Sequence, residues 1–237
     1  GLHGLHELHG LHGLHGLHEL HELHELHELH GLLALTELHK LHGLQHLHEL
    51  HAWLQRLAGH PKLCAVGEIG LDYFLPELAQ DQQQQLFEAQ LKLAAEFELP
   101  VLLHVRRAHA ATIAILKRHK LRRGGIVHAF AGSLEEAREY LKLGFKLGLG
   151  GAPTWPQAHR LRKVVAQLPL EAIVLETDAP DMAPAMHPHR RNSPEYLADI
   201  CTELAALKNI SQEQLARAST RNTQELFGWT PHEAKAC

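Results

Sequence analysis

Four acidic or imidazole side chains each end a short apolar run of the sequence. They are Glu68 in CAVGEIGLD, His104 in LPVLLH, His128 in GGIVHAF and Asp178 in AIVLETDAP. Runs of this length and β-branched content predict buried parallel strands, and we expect each polar residue where its strand emerges into a loop. In α/β barrels, the active-site residues lie at the C-terminal ends of the strands. Because two carboxylates and two imidazoles suit a divalent cation, the pattern predicts a metal-dependent hydrolase.

The elements between these residues alternate between strand and helix. A further apolar, glycine-rich strand is predicted over residues 145–151, between His128 and Asp178. Helices are predicted over residues 81–99, from a Ser133–Glu136 capping box to near Gly144, over 156–168 and 194–207, and from a second cap at Ser211–Gln214, with a short last turn over 222–227. This alternation predicts a parallel α/β fold. A complete eight-stranded barrel takes about 250 residues, so a chain of 237 residues suits one compact barrel domain.

The first quarter of the chain does not fit a barrel. Residues 1–46 form a low-complexity repeat of Gly-Leu-His and Glu-Leu-His triplets, and its period of three matches neither a helix nor a strand. Three explanations stay open: a translated expanded nucleotide repeat or damaged N-terminus, a tail with incidental affinity for transition metals, or a dedicated metal-storage module. We therefore expect a repeat segment over 1–46 and a barrel domain over 47–237 whose first two strand–helix units are incomplete or irregular.

Charge and cysteine content narrow the class of protein. The 23 Lys and Arg residues and 27 Asp and Glu residues give no global nucleic-acid signature. Local clusters at Arg106–Arg107 and Arg190–Arg191 could hold phosphates, whereas the basic run over residues 117–123 (KRHKLRR) is interpreted as a solvated loop. The three cysteines lack metal or redox spacing. Without a transmembrane run or a signal-peptide pattern, we expect a cytoplasmic protein with no membrane partner.

Several longer segments resemble successive motifs of the TatD family of metal-dependent deoxyribonucleases, which belongs with the amidohydrolase-like TIM barrels. They are AVGEIGLDYF, QLKLAAEFELPVLLHVRRA, GGIVHAFAGSLEEAREYLKLGFKLGLGG, LPLEAIVLETDAPDM and RNSPEYL. The resemblance runs from about residue 47 to 227 and is greatest to the YjjV-type branch. It implies a TIM (β/α)8-type barrel, one or two divalent metal ions (Mg²⁺, Mn²⁺ or Zn²⁺) and hydrolysis of phosphodiester bonds in DNA, often from the 3′ end.

The resemblance also implies roles for individual residues. Glu68 matches the family's bridging carboxylate, and His104 and His128 match the two histidines that hold one metal with it. Asp178 matches the aspartate that binds the other metal and positions or deprotonates the attacking water. Arg106 would contact a non-bridging phosphate oxygen, and Asp72 would orient an imidazole. The family's His-x-His strand has no counterpart here, since the pair His46 and His48 lies too close to Glu68, which puts the second metal in question.

Three hypotheses for function follow. The first is a monomeric deoxyribonuclease, acting as a 3′–5′ exonuclease on DNA, with Asp178 and Glu68 as catalytic residues. The second is a hydrolase of another small ester or amide, because the same groups serve several bonds. The third is a metal-binding pseudoenzyme whose truncated barrel no longer turns over.

Overall fold

The structure, a computed structural model, describes residues 47–75 and 79–229. Five strands in this part form one parallel sheet in the order β1-β2-β3-β4-β5. The strands are β1 (Val66–Asp72), β2 (Val101–Arg106), β3 (Gly125–Val127), β4 (Phe145–Leu149) and β5 (Ile173–Leu175). The predicted parallel α/β fold is confirmed. The repeat over residues 1–46 and the interpretation of its metal affinity lie outside the described residues.

In the described part of the chain, helices alternate with the strands and continue beyond the last strand. They are α1 (Leu47–Leu57), α2 (Gln80–Glu96), α3 (His109–His119), α4 (Leu134–Lys142), α5 (His159–Gln167), α6 (Leu197–Lys208) and α7 (Gln212–Phe227), with 3-10 turns at Ala152–Thr154, Leu170–Ala172 and Pro194–Tyr196. Both predicted capping boxes are present: Ser133 with Glu136 opens α4, and Ser211 with Gln214 opens α7. Each box satisfies backbone N–H groups that the first helical turn leaves unpaired.

Four expectations about elements need correction. Glu68 and His104 lie inside β1 and β2 and not at their ends, whereas His128 and Asp178 follow β3 and β5 as predicted. Residues 222–227 continue α7 without a break, because the apolar positions keep the helical period through Leu226. The basic run over residues 117–123 straddles the end of α3. Its charges pair with glutamates of neighbouring elements, so it is not a simple solvated loop.

The two faces of the sheet differ in chemistry. Odd-numbered strand residues point to the helices and form the main apolar core, including Ile69, Leu71, Leu103, Val127, Leu147, Leu149 and Ile173. Even-numbered residues point to the other face, where Ile126 and Val174 pack with Leu226 of α7 and Leu102 lies against them. Glu68, His104 and His128 share this second face, because side chains along a strand alternate with a period of two. The face toward the helices therefore contributes most of the apolar core, and the opposite face carries the candidate functional residues together with a smaller apolar cluster.

Helix α7 covers one edge of the sheet. The hydroxyl of Ser219 accepts a hydrogen bond from the backbone N–H of Leu175 at 2.8 Å. The side-chain amide of Asn222 donates to the carbonyls of Leu170 and Ile173 at 2.8 and 2.7 Å. Since β5 pairs with β4 along its other edge, α7 satisfies backbone groups of Ile173 and Leu175 that would otherwise lack partners.

Within residues 47–75 and 79–229, the sheet is open, with five strands of a TIM-barrel-type arrangement. No helix in this described part is long and apolar enough to cross a membrane.

Candidate metal centre

The candidate centre is built around the imidazole of His128, immediately after β3. Its Nδ1 lies 3.1 Å from Oε1 of Glu176. Its Nε2 lies 3.3 Å from Oδ1 of Asp178 and 3.9 Å from Oε1 of Glu68. The structure thus brings three of the four predicted ligand residues together, and it adds Glu176, for which sequence reasoning gave no role.

Glu176 is positioned by its place one residue beyond β5. Its Oε1 also accepts a hydrogen bond from the backbone N–H of Ala129 at 2.6 Å. Gly148 on β4 makes room for this carboxylate, since a Cβ there would lie 2.3 Å from Oε2 of Glu176. The available signal was alternation: Glu176 precedes Asp178 by two residues, so a strand continuing through them points both to one face.

The surroundings of His128 change its protonation. Burial disfavours the charged imidazole, but hydrogen bonds to Asp178 and Glu176, together with the charges of Glu176 and Glu68, raise its pKa to about 11. Three carboxylates around one imidazole create a site of negative potential that favours a cation. Because Glu176 engages Nδ1, Nε2 is the nitrogen left to face Asp178 and Glu68.

His104 is oriented from a different direction. Its Nε2 lies 3.0 Å from Oδ2 of Asp72, a buried carboxylate whose Oδ1 accepts the backbone N–H of Phe74 at 2.9 Å. The expected role of Asp72 as the partner of an imidazole is therefore confirmed. The strand register places His104 beside Gly70, where a Cβ would come within 2.0 Å of the His104 carbonyl oxygen. Only glycine permits this approach of the two backbones.

Asp178 sits in a loop that a buried asparagine holds in place. Asp178 has a positive φ of 59°, a conformation that short polar residues tolerate better than most. The side-chain amide of Asn192 donates to the carbonyls of Thr177 and Asp181, both at 2.6 Å. These bonds tie down both sides of Asp178, which identifies Asn192 in the RNSPEYL segment as its positioning residue.

The donor atoms present fit a divalent cation. Two ligands bound to one ion at about 2.0–2.2 Å are roughly 3–4 Å apart, and the His128–Asp178 and His128–Glu68 separations of 3.3 and 3.9 Å fall in that range. Within residues 47–75 and 79–229, no three His, Cys, Asp or Glu side chains form a ready-made metal cluster. The fit therefore rests on donor chemistry and on these pairwise separations.

Arg106 and the histidines of the loop after Asp178 have varied surroundings. Arg106 is exposed at the end of β2, two residues after His104 and on the same face. His187, in the loop after Asp178, lies 2.6 Å from Asp199 and stacks on Tyr196 with ring centroids 3.7 Å apart. The contact of His187 with Asp199 links the loop to α6, whereas His189, two residues later, is exposed.

Two further histidines have partners on neighbouring elements. His109 packs edge-on against Phe130, and its Nδ1 lies 3.0 Å from the hydroxyl of Tyr140. Burial lowers the pKa of His109, which keeps it neutral. His119 lies 3.4 Å from Glu88. These side chains connect α3 to α4 and to α2. His48 is exposed on α1, and its predicted pair member His46 lies outside the described residues.

Comparison with known proteins assigns the family. The fold is of the TIM-barrel type found in TatD proteins of known structure. Residues 9–228 match the family model described as TatD related DNase, and the chain belongs to the TatD family. This match starts within the N-terminal repeat.

Individual relatives agree with this assignment. The chain is 45% identical over 166 residues to YjjV of Escherichia coli K12, named an uncharacterized metal-dependent hydrolase, covering 70% of this chain and 64% of that protein. It is 39% identical over 183 residues to a protein of Pantoea sp. named 3′-5′ ssDNA/RNA exonuclease TatD, covering 73% and 69% of the two chains. The crystal structure of E. coli YjjV, a TatD homologue, superposes with a TM-score of 0.74 at 43% identity, covering 78% of this chain and 70% of that one. The chain thus spans about two thirds of the length of the relatives it matches.

Proposed function

We propose that this protein is a metal-dependent phosphodiesterase that acts on DNA, trimming single strands from the 3′ end. The observation that carries the proposal is the convergence of Glu68, Glu176 and Asp178 on the imidazole of His128. Family membership supports the reaction class, and the Pantoea relative's name supports the substrate class and the direction of cleavage.

Each residue of the proposed site has a chemical role. Glu68, His104, His128 and Asp178 would hold one or two divalent ions, with His104 oriented by Asp72 and His128 by Glu176. A bound ion would lower the pKa of a water molecule and neutralise charge on the phosphate. Asp178 would position that water and accept its proton. Arg106 would hold a non-bridging oxygen of a phosphate in the bound strand, because a guanidinium matches the geometry of phosphate.

Digestion of a short, 5′-labelled single-stranded oligonucleotide tests the proposal directly. We expect cleavage stimulated by Mg²⁺ or Mn²⁺, and a loss of about a hundredfold or more in Glu68→Ala, since metal stabilisation of the transition state is worth several kcal/mol. Glu195→Ala is the matched control, because Glu195 is exposed on a 3-10 turn. Activity that survives Glu68→Ala would rule out the proposed centre.

A catalytically impaired metal-binding protein is the second candidate, favoured by the lack of a ready-made three-residue metal cluster in the described residues. A test of this candidate must distinguish metal bound by the repeat over 1–46 from metal bound by the barrel over 47–237, because the repeat imidazoles would bind transition metals themselves. Metal uptake that survives Asp178→Ala, is lost on removal of residues 1–46 and accompanies no cleavage would establish this candidate. Cleavage of 4-nitrophenyl acetate but not DNA would instead indicate an esterase.

A further inference from the structure

An exposed aromatic ring beside the candidate centre carries two arginine side chains. Phe74 is 42% exposed. The guanidinium carbon of Arg106 lies 3.8 Å from the centroid of its ring, and that of Arg107 lies 4.7 Å from the same centroid. Both distances fall within the reach of a cation–π interaction. One ring therefore holds two like charges close together.

The backbone around this cluster connects it to the candidate centre. The N–H of Phe74 donates to Asp72, and the other carboxylate oxygen of Asp72 contacts His104. The N–H of Tyr73 donates to the carbonyl of Arg106 at 2.9 Å. This bond extends the β1–β2 pairing to the residue before Phe74. Phe74 and the arginines are thus placed by the same strand pair that places His104.

The charge arrangement points to an anionic ligand. Some arginines of the described residues pair with carboxylates, as Arg118 does with Glu88 and Arg162 with Glu203. Among the described residues, no carboxylate contacts Arg106 or Arg107, and their mutual repulsion is relieved if an anion binds both. Arginine pairs of this kind suit phosphate, whose oxygens accept bidentate hydrogen bonds.

We propose that Phe74, Arg106 and Arg107 form a phosphate subsite, in which Phe74 positions both guanidiniums to hold the phosphate that neighbours the scissile one in a polynucleotide strand. This inference rests on the proposed function, since it places the subsite beside the reacting bond. It assigns functions to Phe74 and Arg107 and makes the enzyme favour oligonucleotides over small phosphodiesters.

Binding of a fluorescently labelled single-stranded DNA decamer, measured by anisotropy in EDTA, tests the subsite without catalysis. We expect Phe74→Leu and Arg107→Ala each to weaken binding by about tenfold, because a cation–π contact or a phosphate contact is worth on the order of 1–2 kcal/mol. Phe74→Tyr keeps the aromatic face and should bind as the wild type does. Arg107→Ala should also reduce the salt dependence of binding by about one unit.

Arg122→Ala is the charge-matched control, since exposed Arg122 precedes β3 at the opposite end of the sheet and pairs with Glu98. It should change binding by less than about twofold. Equal losses in Arg122→Ala and Arg107→Ala, or unchanged binding by Phe74→Leu with its circular dichroism intact, would overturn the subsite.

Kinetics separate this inference from the proposed function. With an active enzyme, Phe74→Leu should raise KM for the decamer about tenfold and should raise KM for bis(4-nitrophenyl) phosphate, which has no neighbouring phosphate, by a clearly smaller factor. Equal loss on both substrates would mean that Phe74 only supports the centre, and would overturn the subsite. If the wild-type chain cleaves neither substrate, the proposed function fails, and the anisotropy results still decide for or against the phosphate site.

Discussion

Glu176 orients His128 and, after Asp178, helps to raise the pKa of its imidazole. It contacts Nδ1 of the imidazole and the N–H of the following residue, Ala129. Glu176→Gln keeps the shape of the side chain and removes its negative charge. We expect affinity for Mn²⁺ to fall by about 10–100-fold, the usual cost of changing the outer partner that orients a metal-binding histidine, because the neutral amide is a weaker acceptor and carries no charge. Isothermal titration calorimetry of the full chain measures this change.

Glu195→Gln provides the comparison for that titration, since it makes the same chemical change on an exposed turn. Both variants keep the N-terminal repeat, so any ions bound there contribute equally to each. Equal affinities in the two variants would contradict a supporting role for Glu176.

His109 gives the fold a dependence on pH that is independent of the metal centre. Burial lowers the pKa of His109 in the folded state, so the unfolded chain takes up the proton first as pH falls below its ordinary value of about 6.5. The contribution of neutral His109 to folding stability is therefore fully present above a pH of about 6.5 and is lost progressively below it. Between pH 7 and pH 5, the urea concentration at the midpoint of unfolding should fall more for the wild type than for His109→Gln. His159→Gln, at an exposed position on α5, should retain the wild-type difference; equal pH dependence in all three proteins would exclude His109 as the cause.

Residue types and spacing predicted much of the candidate site, because strand alternation and the position of His128 and Asp178 just beyond strands follow from local sequence. Alternation also contained the signal for Glu176. The partners of His109 and His119 could not be predicted, since Tyr140 and Glu88 come from other helices whose packing no local pattern encodes. The roles of the predicted ligands in metal binding stay predictions.

The loop after β5 depends on a single side chain for its shape. Asn192 is 3% exposed and donates to two carbonyls. Asn192→Asp keeps the size but replaces both donors by a carboxylate that repels the carbonyl oxygens, so we expect a loss of about 2–5 kcal/mol in stability or local unfolding of this loop. Because Asp178 lies in the same loop, Mn²⁺ affinity should fall with it. Chemical denaturation and hydrogen exchange measure the two effects.

The exposed Asn209, at the C-cap of α6, supplies the matched change Asn209→Asp. Its left-handed backbone tolerates aspartate, so stability should change by less than about 0.5 kcal/mol. If Asn192→Asp were equally mild, the loop would not depend on the amide.

Element boundaries were predictable to different degrees. The capping boxes at Ser133 and Ser211 were predicted correctly because four consecutive residues are enough to define a capping box. The ends of β1 and β2 were not, because strand length depends on the neighbour that continues the hydrogen-bond ladder. Asp72 and Arg106 extend each other's strand by pairing, and neither run of residues alone encodes that pairing.

At the scale of the whole molecule, the parallel sheet follows from the alternation of strand and helix, but the treatment of its edge does not. An open sheet leaves unpaired backbone groups along its edge strands unless another element covers them. In the described part, α7 lies along β5 and supplies Ser219 and Asn222 to the backbone groups on that side. Two polar residues on the buried face of a helix are a weak signal by themselves. Only the tertiary arrangement shows that they replace a neighbouring strand.

This contact makes Asn222 a determinant of global stability. It is 1% exposed, and its amide is the donor to both Leu170 and Ile173. Asn222→Asp leaves two buried carbonyls facing a carboxylate, which should cost about 2–5 kcal/mol and detach the C-terminal helix first. The free energy of unfolding in urea should fall by that amount. Hydrogen exchange should lose protection in β5 and α7 before β1 and β2, because coupling spreads outward from the broken contact. Uniform loss of protection across the sheet would show that the edge contact is not a separate unit, and a fall no larger than that of Asn209→Asp would show that α7 covers β5 without stabilising it.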